Sequence, residues 1–210
     1  MKFKDRADAA QKLSQVLTKF KGAECIVLAV PRGAVPMARQ IADDLGAPLD
    51  LVLVRKVGAP ADPEFAIGSV TEYGDVIPNP DFSDGLSQGV LLENAPAALR
   101  VLEERREKYC GSSPRAQLNG KTVIIVDDGI ATGSTLKAAV ESTRRQSPGR
   151  VVVAAPVASS SAVENLKHLC DDIVVLEVPE EFHSVGEFFE VFPQVTDDEV
   201  CDALKQEKRK

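Results

Sequence analysis

The sequence predicts an α/β protein organised around a mostly parallel sheet with helices on both faces. Apolar runs suited to buried strands recur at residues 25–30, 49–54, 123–126, 150–157 and 173–178. Segments with helical spacing separate most of them, and that alternation indicates parallel strands joined by right-handed crossovers. The central run, Val123-Ile124-Ile125-Val126, is four β-branched residues in succession, the mark of a strand covered on both faces.

Leu13, Val16, Leu17 and Phe20 make a helical stripe within residues 3–20. The strand at 25–30 runs into Pro31-Arg32-Gly33, and a helix follows to about Asp44. The strand at 49–54 ends in Arg55-Lys56. Residues 57–80 are rich in Gly, Pro and Ala, with strand candidates at 65–70 and near Val76, and suit an exposed hairpin or a mobile lid. Residues 91–109 read as an amphipathic helix whose charge run, 103–108, lies on a solvated face. Residues 111–114 break the chain before the central strand. Beyond it come a helix opening at 136–140, the strand at 150–157, a helix over 162–169 and the strand at 173–178. Phe182, Phe188, Phe189 and Phe192 then crowd together in a chain that is only 5% aromatic. They form a small satellite core, or one of them covers a planar ligand. Thr196 caps a final helix, and residues 205–210 read as a frayed end.

Chemistry concentrates where the central strand ends. Asp127 and Asp128 stand at its C-terminal edge, where open α/β sheets bind ligands. A loop of small residues, Ala131-Thr132-Gly133-Ser134-Thr135, opens onto a helix. Free amides at a helix N-terminus hold anions, and the three hydroxyls add donors. The acids suit a diol and the loop a phosphate, so the pair fits a phosphorylated ribose. Taken singly, each half has an ordinary structural reading, as an Asp-Gly turn or a helix N-cap. The lysine of an ATP-binding G-x-x-x-x-G-K-[ST] loop is missing.

VIIVDDGIATGST resembles the signature of the type I phosphoribosyltransferases: an apolar strand, two acids, a short loop, then Thr-Gly and small hydroxyl residues. The likeness spans roughly residues 24–180. It implies a Rossmann-like sheet with a small hood and a flexible hairpin lid, forming a single domain over 1–210 with its core at about 24–180 and the hood and C-terminal extension at about 179–210. It also implies transfer of the 5-phosphoribosyl group of phosphoribosyl pyrophosphate to a nitrogenous base or similar small acceptor, with Mg²⁺ as cofactor. By position, Asp127 and Asp128 hold the ribose hydroxyls and meet the metal only indirectly, and Ala131 through Thr135 hold the 5-phosphate. Arg32 and Gly33 resemble the pyrophosphate loop of adenine phosphoribosyltransferases. Arg55, Lys56 and Glu72-Tyr73-Gly74 resemble their catalytic-loop stretches. Lys56 is the expected pyrophosphate contact, Glu72 the expected proton-transfer acid, and Glu64 its rival. Ala131 stands where hypoxanthine-guanine members carry aspartate, which argues against a 6-oxopurine acceptor. The alternative is a non-catalytic regulator that binds phosphoribosyl pyrophosphate or a nucleotide.

A formal charge of −7 argues against a nucleic-acid partner. An absent signal sequence and the lack of a membrane-length apolar run give the expectation of a cytoplasmic protein with no membrane partner. Cys25, Cys110, Cys170 and Cys201 lack metal or disulfide spacing and read as free thiols. The family commonly dimerises, so a homodimer is among the expectations.

Overall fold

In the computed structural model, the described residues are 2–22, 24–59, 62–79 and 85–205, with the side chains of 62–65 and 85–87 also set aside. Five parallel strands form the main sheet in the order β2-β1-β6-β7-β8: β1 Cys25–Ala29, β2 Leu49–Leu51, β6 Thr122–Val126, β7 Arg150–Val157 and β8 Asp172–Glu177. Alternation along these strands divides the core between two faces. Val27, Ala29, Ile124, Val126, Val152 and Ala154 face a cluster built with α1 (Arg6–Leu17) and α2 (Ala34–Leu45). Ile26, Leu28, Val123, Ile125, Val151 and Val153 face one built with α4 (Ser134–Arg145) and α5 (Ser160–Leu166). From β1 the chain moves outward one way to β2, and from β6 the other way to β7 and β8. Right-handed crossovers in opposite directions put α2 and α4 on opposite faces. The order therefore reverses between β1 and β6, whose register runs from Cys25↔Thr122 to Ala29↔Val126, so their exit loops leave the same edge side by side.

A second sheet is antiparallel, in the order β3-β4-β5: β3 Val54–Ala59, β4 Asp62–Thr71 and β5 Val76–Pro78. The single strand expected at 49–54 is thus two pieces, with β3 starting a new sheet. Its root is tied to the core, because Asp75 accepts from Ser142 Oγ (2.5 Å) and Arg145 (2.8 Å) of α4. Burial opposes the charge of Asp75, but those donors prevail and hold its pKa below the ordinary carboxylate value.

The long helix α3, Gly85–Cys110, begins earlier than its periodicity predicts and packs on all three strands of the small sheet and on α6, Asp197–Lys205. Leu91, Ala95, Ala98, Leu102 and Tyr109 form its buried stripe. Thr196 and Glu199 cap α6 reciprocally, Thr196 N–H donating to Glu199 Oε2 (2.7 Å) and Glu199 N–H to Thr196 Oγ1 (3.2 Å).

Residues near the two ends of the chain meet. Phe3 bridges Phe189, its amide donating to Phe188 O (2.8 Å), while Glu190 N–H donates to Phe3 O (2.8 Å). The expected satellite core is real: Phe3 packs on Phe189, Phe189 stacks on Phe192, and Phe182 stacks on Phe188. Val16, by contrast, points outward. All four cysteines are free, and no helix among the described residues is long and apolar enough to cross a membrane.

The α3 stripe can be tested against its own exposed face. Leu102 is fully buried and Leu92 is 63% exposed. Leu102→Ala should cost about 2–5 kcal/mol in urea unfolding, and Leu92→Ala within about 0.5 kcal/mol.

Candidate active site

At the switch between β1 and β6, the loop Pro31-Arg32-Gly33 faces the loop that begins at Asp127. The peptide between Pro31 and Arg32 is cis. A Cβ on Gly33 would lie 1.9 Å from Asp128 Oδ2 and 2.6 Å from its Cγ, so the two loops touch at a point only glycine can occupy. Asp127 Oδ1 accepts the Asp128 amide (2.9 Å). Burial, with the Asp128 carboxylate beside it, raises the pKa of Asp127 well above the ordinary carboxylate range.

The loop after the acids is pinned from behind and open in front. Ile130 N–H donates to Val157 O (2.9 Å), its carbonyl accepts Ser159 N–H (2.9 Å), and Ser159 Oγ donates to Ala131 O (2.6 Å). Gly133, at φ +75°, turns the chain into α4. The amides of Ala131, Thr132 and Gly133 have no hydrogen-bond partner among the described residues. Ala131, Thr132 and Ser134 are exposed, and the hydroxyls of Thr132 and Ser134 lie 3.2 Å apart. Three unbonded amides and clustered hydroxyls at the mouth of a 12-residue helix make an anion cradle beside two carboxylates.

The phosphoribosyl transferase domain family matches residues 3–188. The chain belongs to this family. A Mycobacterium tuberculosis phosphoribosyl transferase, itself provisionally assigned, is 37% identical over 209 residues in strains CDC 1551 and H37Rv. That alignment covers 99% of this chain and 47% of the relative, so the chain spans about half the length of the curated relatives it matches. The crystal structure of TT1426 from Thermus thermophilus is 42% identical, with a TM-score of 0.85 over 97% of this chain and 98% of that one. A purine phosphoribosyltransferase from Pyrococcus horikoshii shares the fold at 18% identity, with a TM-score of 0.51 over 91% of this chain and 89% of that one.

Other residues singled out in the sequence of this phosphoribosyl transferase domain fall elsewhere. Arg32, on the β1 loop, is 46% exposed and lies 3.5 Å from Asp197 Oδ1, an exposed contact of small value. Asp197 is held at about 2 mainly by Lys108 and Tyr109. Arg55 and Lys56 lie within β3 rather than past the end of a core strand, and both are exposed. Neighbours in a strand point to opposite faces, so at most one of them faces the cleft. Glu64 belongs to β4, and its side chain is outside the described residues.

Glu72 stands at the root of the hairpin, not on its arm. It is buried, accepting from Leu53 N–H (2.9 Å), Arg106 Nη1 (3.2 Å) and Arg115 Nε (3.1 Å). Arg106 Nη2 also meets Asp50 Oδ1 at 2.7 Å. Burial raises the pKa of Glu72 despite both arginines. All its donors come from this brace and none from the motif loop. Arg106 overturns the expectation that the whole 103–108 run is solvated. Its position, four residues after Leu102 and three before Tyr109, lies on the buried stripe, and that spacing was the available signal. A cleft of about 310 Å³ beside the brace is lined by Glu103, Arg106, Glu107, Gly111, Ser112 and Arg115, so it too is separate from the motif. Arg106→Met strips the buried Asp50 and Glu72 of their shared cation and should cost about 3–5 kcal/mol in denaturant unfolding.

Proposed function

We propose that the domain binds phosphoribosyl pyrophosphate at the β1/β6 switch and transfers its 5-phosphoribosyl group to a nitrogenous base or similar small acceptor, releasing pyrophosphate. The observation that carries this reading is the cradle of unbonded Ala131, Thr132 and Gly133 amides, flanked by the Thr132 and Ser134 hydroxyls and adjoining Asp127 and Asp128. The cradle takes the 5-phosphate, with Thr135 on the same turn. The acids orient the ribose 2- and 3-hydroxyls and lie near the positive charge that develops on the sugar as its C1–oxygen bond breaks. Negative charge grows on the departing pyrophosphate, which Arg32, the amides beside Gly33 and Lys56 offset. Holding the reactants in register supplies much of the remaining acceleration without a protein nucleophile.

Among the described residues no group of three or more potential ligand side chains could cage a metal. That fits Mg²⁺, which keeps several waters and takes one or two carboxylates together with substrate oxygens. Asp127 and Asp128 would hold it indirectly, through water and ribose hydroxyls, and the bound ion would supply charge neutralisation on the leaving group. We assign Glu72 to bracing the hairpin, which leaves Glu64 as the lid acid that assists proton transfer from the acceptor. Ala131 leaves the loop without an acid for a 6-oxopurine.

Pyrophosphate release from phosphoribosyl pyrophosphate, measured with Mg²⁺ against a panel of nitrogenous bases, is expected with at least one base. Tight binding without release from any base would make the domain a regulator. Asp128→Asn should weaken phosphoribosyl pyrophosphate binding about 10- to 100-fold by calorimetry, the range expected for a lost charge-assisted hydrogen bond; unchanged binding removes Asp128 from the site. Glu64→Gln should lower kcat by roughly 10²- to 10⁴-fold, whereas Glu72→Gln should lower stability and preserve kcat per folded molecule.

A further inference from the structure

Arg6, the first residue of α1, lies 122 positions from Asp128 in sequence and against it in space. Its Nε and Nη2 both donate to Asp128 Oδ2, at 2.9 and 2.7 Å. Its Nη1 donates to Pro193 O at 2.6 Å, and its guanidinium carbon stands 3.7 Å from the centre of the Phe192 ring. The side chains of Arg6 and Asp128 are only 12% and 18% exposed. A planar guanidinium held by three hydrogen bonds and a stacked ring has little freedom left.

We propose that Arg6 is a positioning residue for the ribose subsite: it fixes the Asp128 carboxylate through Oδ2 and offsets its charge, leaving Oδ1 to accept a sugar hydroxyl. The inference rests on the reading of Asp127–Asp128 as the diol site. Two adjacent carboxylates would repel a ligand that is itself a polyanion, and a fixed cation on one of them removes much of that repulsion. The Gly33 backbone crowds the same carboxylate, where a Cβ would lie 1.9 Å from Oδ2. Both guanidinium bonds go to Oδ2 and neither to Oδ1. Arg6 is aimed by the tail, and the tail also seats Val185 against Gly129, where a Cβ would come within 2.3 Å of Cγ1. Phe192 lies between Phe189 and Arg6, so this ring aims a charged side chain and is not a free platform for an acceptor base.

The test compares a ligand that has the diol with one that lacks it. Isothermal titration of the intact chain with ribose 5-phosphate and with inorganic phosphate should show tighter binding of the sugar phosphate. Arg6→Gln should weaken ribose 5-phosphate about tenfold and inorganic phosphate, which feels only the lost charge, by no more than about threefold. Arg6→Lys, which keeps the charge but not the fork, should fall between. Equal losses for both ligands, or none for either, would overturn the role. If the wild-type chain does not prefer ribose 5-phosphate to inorganic phosphate, the sugar-site reading fails first, whatever Arg6 does. Should Arg6→Gln not fold by circular dichroism, Phe192→Leu keeps both charged partners while removing the stack, and it must show the same selective loss in smaller measure; no selective loss there would equally overturn the role.

Discussion

The site depends on a close approach. Parallel pairing of β1 with β6 ends level at Ala29 and Val126, so two loops from distant parts of the chain leave the sheet together. They can lie against each other only because residue 33 has no side chain, since a methyl group there would fall inside the Asp128 carboxylate. From that contact follows the confinement of Asp128. Desolvation and the neighbouring Asp128 carboxylate raise the pKa of Asp127 above the usual carboxylate range.

Around this contact, polar braces fix the elements that border the cleft. The turn between β4 and β5 is anchored by Glu72 to Arg106 and Arg115, with Asp50 sharing Arg106, and by Asp75 to Ser142 and Arg145. Glu72, Asp50 and Arg106 are buried charges, costly unless paired, and each has opposite charge at hydrogen-bond distance. The braces hold the base of the hairpin to α3 and α4 while leaving Arg55 and Lys56 exposed on its arm.

The parallel sheet, its two helical faces and the loop at the end of β6 were legible because each is a local pattern: β-branched runs, apolar periodicity, and small residues before a helix. The capping box at Thr196 and the aromatic satellite core were legible for the same reason. What escaped reading depends on pairings far apart in sequence. The break at Val52 reflects Glu72 taking the Leu53 amide, a bond spanning 19 residues. The role of Arg106 was hidden inside a run of charges, although its spacing from Leu102 set it on the buried stripe. Arg6 drew no notice in the sequence, because nothing near it in the chain announces Asp128 or Phe192.

The bridge between Phe3 and Phe189 carries a consequence for how the molecule is made. Residues 3–6 leave the ribosome long before their partners at 188–193. Until those partners emerge, Phe3 has no strand to join and Arg6 no ring to rest on, so the clamp over Asp128 can form only after the whole sheet has been synthesised. A nascent chain can thus complete its central strands well before Asp128 is clamped in place.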